Sequence, residues 1–305
     1  MSKKNGPSIK GAKAPERRLK YTVKEPMELL QFLQQLYPEK SRTAVKSFLI
    51  HKQVYINFQI VTQFNYPLIA GQEVVISTSK IPVSINFEGL SILYEDESII
   101  VIDKSAGLLS IASTTEKEKT AYSQLRAHVK QLNPQNKLFV LHRLDKDTSG
   151  VMMFAKSADV QERMQRNWHN FVTLRTYVAV LEGCVSDDAG TISSWLTEDK
   201  AHNVISHEEQ HGRQAVTHFK VIKKNLNYSM VEFRLETGRK NQIRVHSQEI
   251  GHSIVGDRKY GGKASPIGRV GLHANILEFI HPVLKSKLSY ISPVPKTFLR
   301  LVSQK

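Results

Sequence analysis

The strongest constraint on the fold is the pattern of apolar runs between residues 91 and 305, where β-type runs do not alternate regularly with helical stretches. Helical stretches fall near 120–132, 158–170 and 240–250. Strands without regular βαβ alternation favour an α+β domain on a largely antiparallel or mixed sheet. We therefore expect one large α+β domain over residues 91–305. Its β-type runs are Ile92–Tyr94, Ile99–Ile102, Val151–Phe154, Tyr177–Leu181 and Met230–Leu235.

A second, smaller unit is predicted for residues 21–80, ahead of a linker at 81–90. Its first helix has apolar residues at helical spacing. Ser41 is placed to cap a second helix, and short strands follow at 54–56 and 74–76. The apolar positions of the first helix are Leu29, Leu30, Phe32, Leu33 and Leu36, and those of the second are Ala44, Val45, Phe48 and Leu49.

The charge balance points to a polyanionic partner. The chain has 43 Lys and Arg against 28 Asp and Glu, a net charge of +15. Such an excess attracts nucleic acid or an anionic membrane surface, and binding releases counterions from phosphates. Because no run approaches the length that spans a bilayer, we expect no membrane association. Residues 1–20 read as a disordered basic arm, which either adds diffuse RNA affinity or is a solvated tail.

Cysteine usage indicates a reducing compartment. Cys184 is the single cysteine, so it can form neither an intramolecular disulfide nor a thiolate cluster for zinc. The N-terminal residues carry positive charge without an apolar stretch behind them, unlike a secretory signal. We therefore expect a cytoplasmic protein that binds no metal.

One polar segment lies between β-type runs and carries an unusual density of charge. It reads His142-Arg143-Leu144-Asp145-Lys146-Asp147-Thr148-Ser149-Gly150. Loops held by a rigid sheet often carry reacting groups, and Gly150 frees the backbone where the next strand begins. Spacing alone favours a solvated turn.

The run HRLDKDTSGVMMFAKS closely resembles the HRLD signature of the RluA-type pseudouridine synthases. Three further family blocks follow it in order, and the whole agreement covers roughly residues 92–300. They are RTYVAVLEG at 175–183, TGRKNQIRVH at 237–246 running on to GDRKYG at 256–261, and LHA at 272–274 with His281-Pro282. The resemblance implies the pseudouridine synthase fold, with a large mixed, mostly antiparallel sheet flanked by helices. It also implies an RNA isomerase that needs no cofactor.

The resemblance assigns roles to individual residues. Asp145 matches the essential nucleophile, and Tyr177 matches the active-site tyrosine, which offers a stacking face for an extruded uracil. Arg244 matches the arginine of the Gln-Ile-Arg segment and is our choice for the ion-pair partner of Asp145, with Arg239 in reserve. Arg143 resembles the residue that fills the space left by the extruded base, although a phosphate contact is equally compatible.

Residues 26–78 resemble the S4-like RNA-binding domain over about fifty positions. In that family the second helix and the adjacent turn present basic residues to RNA, here Arg42, Lys46 and Lys52, and any of these could instead be ordinary surface. We place His142 and Arg239 with the RNA contacts as well.

Two departures from the family pattern stand out. Lys240-Asn241 replaces the usual Thr-His before Gln-Ile-Arg, and Lys104-Ser105-Ala106-Gly107 replaces Lys-Pro-x-Gly. Neither removes a group that the chemistry needs, so the expected effects are on local structure or RNA fit.

The expected substrate is large-subunit ribosomal RNA, with transfer RNA second, acted on by a monomer. The first alternative is a non-catalytic RNA-binding or ribosome-assembly factor. The second is a glycoside or nucleoside hydrolase that pairs Asp147 with Asp145, since such enzymes usually use two opposed carboxylates.

Overall fold

The computed structural model describes residues 18–57, 59–77, 87–132, 135–208, 210–263 and 265–303. The chain divides into two compact units, Met1–Asn86 and Phe87–Lys305. Residues 1–17 of the predicted basic arm, and residues 81–86 of the predicted linker, lie outside the described residues. The expectation of disorder is wrong for residues 18–20, which belong to strand Arg18–Thr22 and pair with another strand.

In its described residues, the smaller unit combines two helices with a four-stranded antiparallel sheet and a two-stranded ribbon. The sheet order is β1-β6-β3-β4, and β2 pairs with β5. Its elements are β1 Arg18–Thr22, β2 Met27–Glu28, α1 Leu29–Leu36, α2 Arg42–Ile50, β3 Val54–Ile56, β4 Gln59–Ile60, β5 Pro67–Leu68 and β6 Glu73–Ser77.

Local signals in the sequence explain the start and the buried face of α2. Ser41 caps α2, since its Oγ accepts a hydrogen bond from the backbone N–H of Ala44 at 3.2 Å, as predicted. Val45 and Leu49 are buried in the core of this unit, and Phe48 packs against it. The expectation that Ala44 would be buried is wrong. Ala44 lies in the first turn, on the solvent side of the stripe formed by the other three residues.

The larger unit is built on an eleven-stranded sheet, counted over the described residues. The sheet order is β13-β12-β14-β15-β11-β16-β10-β8-β7, with β17 beside β16 and β9 beside β10. Its first elements are β7 Leu90–Glu95, β8 Ile99–Lys104, α3 Ala121–Leu132, β9 Phe139–Val140, β10 Ser149–Ala155, α4 Ala158–Arg166, α5 Trp168–Phe171 and β11 Val172–Glu182. The remaining elements are β12 Ala189–Glu198, β13 Val204–His207, β14 Arg213–Lys224, β15 Tyr228–Leu235, α6 Gln242–Glu249, a short 3-10 turn Arg258–Tyr260, β16 Leu272–Ile280, β17 Lys287–Ile291 and α7 Lys296–Leu301.

The sheet is mixed and mostly antiparallel, as expected. Strands β10 and β16 form the parallel pair, with Gly150 opposite Ala274. A Cβ on Gly150 would lie 2.0 Å from the carbonyl oxygen of Ala274, and φ of Gly150 is +114°. Glycine is therefore required here on both steric and conformational grounds. This close approach fixes the end of the loop that carries Asp145.

The described part of the chain has no helix that is both long and apolar enough to cross a membrane. Every residue of β10 is buried, and apolar side chains pack on both faces of the sheet around this strand. Buried side chains leave β10 little freedom to shift. The loop before it, residues 141–148, is consequently held by a rigid support.

Candidate active site

The loop that carries Asp145 is fixed by buried polar side chains from neighbouring segments. Ser110 Oγ donates to the carbonyl oxygen of Leu144 at 2.6 Å and lies 3.1 Å from the backbone N–H of the same residue. Lys104, whose side chain is fully buried, donates from Nζ to the carbonyl oxygens of Ser105, Leu108 and Lys146 at 3.0, 2.7 and 3.1 Å. The backbone on both sides of Asp145 is thereby anchored.

An arginine from α6 links Asp145 to a second, buried carboxylate. Arg244 donates from Nε and Nη2 to Asp257 at 2.6 and 2.7 Å, and from Nη1 to Asp145 Oδ2 at 3.3 Å. The Asp257 side chain is 1% exposed, whereas that of Asp145 is 26% exposed. The predicted pairing of Arg244 with Asp145 is present, but the fork-shaped contact is made to Asp257.

The electrostatics of Arg244 follow from this arrangement. Burial alone would lower the pKa of Arg244, and its hydrogen bonds and attraction to Asp257 outweigh burial, so the pKa lies above its ordinary value. The guanidinium also lies 4.9 Å from the ring centroid of Tyr260. Arg244 is thus a permanent, oriented positive charge beside the carboxylate of Asp145.

The loop before α6 is organised by Gln242, whose side chain is buried. Its Oε1 accepts hydrogen bonds from the backbone N–H of Arg239 and the hydroxyl of Thr237, at 2.9 and 2.8 Å. Its Nε2 donates to Val216 and Thr217 on β14. Asn241 directly precedes Gln242, and its side chain lies between Asp145 and Tyr260.

Tyr177 lies on β11 and lines the same pocket as Asp145. Burial raises the pKa of its hydroxyl, Arg175 opposes that change, and the nearby Asp145 adds to it. A protonated phenol over the working pH range leaves the ring as a neutral, flat surface. That surface is suited to stacking against a base.

The pocket has a volume of about 630 Å³, within the range of small-molecule sites. Cations line its open side. Arg143 is exposed, and in the described part of the chain it has no hydrogen bond or ion pair. Arg239 donates to the carbonyl oxygen of Gln214 at 3.0 Å. The pocket is therefore a concave surface with positive charge at its rim and a carboxylate inside.

Arg175 was not singled out from the sequence. Its guanidinium lies 5.7 Å from the Trp168 ring centroid, and a Cβ on Gly238 would come within 2.5 Å of Nη1. Among the described residues it has neither a hydrogen bond nor an ion pair. Burial lowers its pKa. A guanidinium in this state leaves its donors available to an anion.

His142 has contacts that favour a structural role over the predicted RNA contact. Its Nε2 accepts a hydrogen bond from the backbone N–H of Met153 at 3.1 Å, and its ring packs 5.5 Å from the Trp168 ring. Burial lowers the pKa of His142 to about 3, with a smaller contribution from Arg175. The ring is thus neutral and cannot neutralise a phosphate.

The three basic residues predicted to contact RNA in the smaller unit occupy different positions there. Arg42 begins α2 and is exposed. Lys46 lies on the exposed face of α2, with its Nζ 5.4 Å from the centroid of the Phe64 ring. Lys52 follows α2 in a left-handed conformation, with φ of 53°. Their contact with RNA remains a prediction.

Sequence reasoning missed the roles of Asp257, Lys104 and Ser110. Asp257 and Lys104 lie within family-like blocks, but a charged residue is ordinarily exposed, and nothing in the sequence marks these two as buried. Ser110 has no distinguishing pattern. In the described ranges, no group of three or more His, Cys, Asp or Glu side chains could hold a metal ion.

Comparisons with known proteins match this chain to RNA pseudouridine synthases. The family model described as RNA pseudouridylate synthase matches residues 98–249. A Bacillus subtilis protein named as the uncharacterized RNA pseudouridine synthase YlyB is 33% identical, over 89% of this chain and 92% of its own length. The ribosomal large subunit pseudouridine synthase D of Haemophilus influenzae is 30% identical, over 90% of this chain and 89% of its own. Among solved structures, human RNA pseudouridylate synthase domain containing 4 aligns with a TM-score of 0.56 at 25% identity, covering 68% of this chain and 90% of its own.

Proposed function

Because the chain belongs to the RluA-type RNA pseudouridine synthases, which are RNA-modifying isomerases, we propose that it isomerises specific uridines in structured RNA with Asp145 as nucleophile. The observation that carries this proposal is the carboxylate of Asp145, which lies in the pocket within 3.3 Å of Arg244. In the reaction the N1–C1′ bond of uridine breaks, the base turns while bound, and a C5–C1′ bond forms.

Asp145 has to be ionised to act at the ribose. Arg244 places a fixed positive charge beside this carboxylate, and Asp257 keeps Arg244 in place through two hydrogen bonds. Asp257 is a positioning residue in this scheme, because it acts on the reacting carboxylate only through Arg244.

Tyr177 supports a position for the extruded base. Stacking of a base on an aromatic ring contributes about 1–3 kcal/mol, enough to hold a uracil that has lost its neighbours in the RNA. The phenol could also take part in moving the C5 proton at the end of the reaction.

A uridine inside folded RNA has to leave its stack to reach Asp145. Arg143 is adjacent to the site in sequence, exposed, and without a protein partner in the described part of the chain. We propose that it enters the space vacated by the base or binds the neighbouring phosphate. Either role uses the same free guanidinium.

The preferred target in this proposal is large-subunit ribosomal RNA. Support comes from the relatives named ribosomal large subunit pseudouridine synthase D, of which that of Neisseria meningitidis is 32% identical over 96% of this chain. We further propose that residues 21–80 form an S4-like RNA-binding domain that adds affinity through Arg42, Lys46 and Lys52. The protein would act in the cytoplasm as a monomer, and transfer RNA is the alternative target.

The test is a product assay on unmodified transcripts. We expect the wild-type protein to form pseudouridine in large-subunit ribosomal RNA without an added cofactor, and Asp145→Asn to form none while binding the same RNA with nearly unchanged affinity. Equal turnover by Asp145→Asn would refute the nucleophile. RNA binding without product in the wild-type protein would favour the non-catalytic assembly factor.

The target is identified by mapping pseudouridine across the RNAs of cells with and without the gene. Loss of sites confined to transfer RNA would select the alternative substrate.

A further inference from the structure

Asn241 occupies an unusual backbone conformation directly beside Asp145. Its φ of 53° lies in the left-handed region, which Asn, Asp and His enter more readily than other residues with side chains. The side-chain amide is buried between Asp145 Oδ2 and the hydroxyl of Tyr260, with one amide atom 2.7 Å from each. The residue is thus held in place at both ends of its amide.

Hydrogen bonding decides which amide atom faces Asp145. The Tyr260 hydroxyl already accepts a hydrogen bond from the backbone N–H of Val204 at 3.2 Å, so its own proton is available for the amide oxygen of Asn241. An ionised carboxylate only accepts hydrogen bonds, so the atom 2.7 Å from Asp145 Oδ2 has to be the amide nitrogen. The opposite orientation would offer the amide oxygen to Arg244 at 3.4 Å, a long contact that repulsion from Asp145 would outweigh.

From this geometry we infer that Asn241 is a positioning residue that donates a hydrogen bond to Asp145 Oδ2 and thereby selects Oδ1 as the oxygen that acts on the ribose. This inference rests on the proposed function. Within the described ranges, Oδ2 receives both Asn241 and Arg244, at 2.7 and 3.3 Å, whereas the one contact of Oδ1 is with Asn241 at 3.3 Å.

Selection of Oδ1 serves either version of the chemistry. Oδ1 forms a bond to C1′ while the electron pair of the C1′–N1 bond leaves with the uracil, or it removes the C2′ proton as that bond breaks. Two donors on Oδ2 hold the carboxylate plane, so Oδ1 meets the ribose in one orientation.

A test through pH has to consider every ionisable group around Asp145. All of them are present in both the wild type and a variant at Asn241, so the ratio of their rates isolates the substituted position. The groups are Lys104 on β8, Arg143 in the same loop, Tyr177 on β11, Arg239 and Lys240 before α6, Arg244 on α6, and Asp257 and Tyr260 after it.

Asn241→Asp is the sharpest variant, because it preserves shape and tolerates the left-handed backbone. Two carboxyl groups at this distance repel when both are ionised and otherwise share a proton. With the shared proton, the new carboxyl group still donates to Asp145. As pH rises through the upper pKa of such a pair, about 5 in a two-aspartate site, the shared proton and the donor are lost and repulsion displaces Asp145.

We expect the single-turnover rate of Asn241→Asp, relative to wild type, to fall with rising pH, reaching a deficit of about 30-fold, the value of one charge-assisted hydrogen bond. Asn227→Asp makes the same chemical change in an exposed turn and should follow the wild type at every pH. Asn227 precedes β15, whose other end, Leu235, lines the pocket, so about 25 Å of strand separates the control from the site.

A ratio that does not change with pH, at any level of activity, would overturn the inference. If Asn241→Asp does not fold, Asn241→His provides the test, since histidine also enters the left-handed region and can donate. It should keep the rate within about tenfold of wild type, and a folded Asn241→His more than a hundredfold slower would contradict the role. Asp145→Asn separates the two proposals. Turnover by that variant would refute the proposed function. If Asp145→Asn is inactive and the ratio of the Asn241→Asp rate to the wild-type rate does not change with pH, this inference alone is refuted.

Discussion

Two groups of arginines at the site differ in their partners. We call Arg244 and its carboxylates the inner wall, and Arg143 and Arg175 the outer wall. On the inner wall, Arg244 makes three hydrogen bonds to two carboxylates, and the Asp257 side chain is 1% exposed. On the outer wall, Arg143 and Arg175 have no hydrogen bond or ion pair in the described part of the chain. The role of an arginine at this site therefore follows from the groups that it contacts and not from its residue type.

The difference has a physical cause. A buried charge is costly unless it is paired and hydrogen-bonded, so Arg244 and Asp257 depend on each other. The exposed guanidinium of Arg143 keeps contact with water and can remain unpaired until an anion arrives, whereas that of Arg175 packs against the Trp168 ring. We infer that the inner wall holds the reacting carboxylate and that the outer wall is left for the phosphates of RNA.

The largest expected effect comes from breaking the inner wall. Arg244→Ala should lower the free energy of unfolding by about 3–5 kcal/mol, because it leaves Asp257 buried without a counter-charge. Pseudouridine formation should be lost as well. Chemical denaturation and the product assay measure the two effects.

The matched control is Arg166→Ala, which removes an exposed ion pair with Glu162 on α4. Exposed pairs contribute about 0–1 kcal/mol. A stability loss in Arg244→Ala no larger than in this control would show that buried Asp257 does not depend on Arg244 for its stability.

The next effect tests whether His142, which lines the pocket beside Arg143 and Arg175, can carry a positive charge in the folded protein. Burial lowers the pKa of His142 to about 3 from its ordinary value of 6.5. The unfolded chain therefore binds more protons below pH 6.5, and the stability that neutral His142 contributes is present above that pH and lost as pH falls toward 3. Titration of this one residue contributes a slope of up to about 1.4 kcal/mol per pH unit.

His142→Gln, which does not titrate, should flatten the acid side of a plot of unfolding free energy against pH. His211→Gln, at an exposed histidine, should retain the wild-type slope. Identical slopes in wild type and His142→Gln would mean that His142 takes up its proton at the same pH in the folded and the unfolded chain.

The smallest effect on stability is expected at the outer wall itself. Arg175→Ala should change the free energy of unfolding by about 1 kcal/mol or less, since the contact with Trp168 is its main interaction within the protein. RNA affinity should fall, and the slope of log affinity against log salt should become shallower by about one, the signature of one lost phosphate contact. Filter binding over a salt series measures this slope. If the slope of log affinity against log salt is unchanged and the stability loss is large, Arg175 has a structural role like that of Arg244 and does not contact phosphate.

Much of the larger unit could be predicted because its signals are local. The five expected strand cores and the three helical regions all lie within or across observed elements, since apolar periodicity reflects the face that is buried. The long antiparallel pair of β12 and β14 was not predicted. In β14 only alternate residues near the start of the strand are buried, and its end is exposed. A half-exposed strand carries a weak apolar signal.

At the site, the motif blocks identified Asp145, Tyr177 and Arg244, and the structure brings all three to one pocket system. It also brings in residues far away in the sequence. Asp145 and Arg244 are 99 positions apart, and Ser110 contacts Leu144 across 34. Such contacts depend on strand order and register, which local sequence does not encode.

By itself, the sequence determined the family, the α+β class and the net positive charge, and it predicted Asp145 as the reacting carboxylate, because these are carried by composition and by short ordered motifs. Only the tertiary structure decided which charges are paired. The pairing of Arg244 with Asp257, the burial of Lys104 and the placement of Asn241 against Asp145 arise where α6, its neighbouring loops and the central strands meet. Desolvation and hydrogen-bond geometry act on that three-dimensional neighbourhood, and they set the role of each charge.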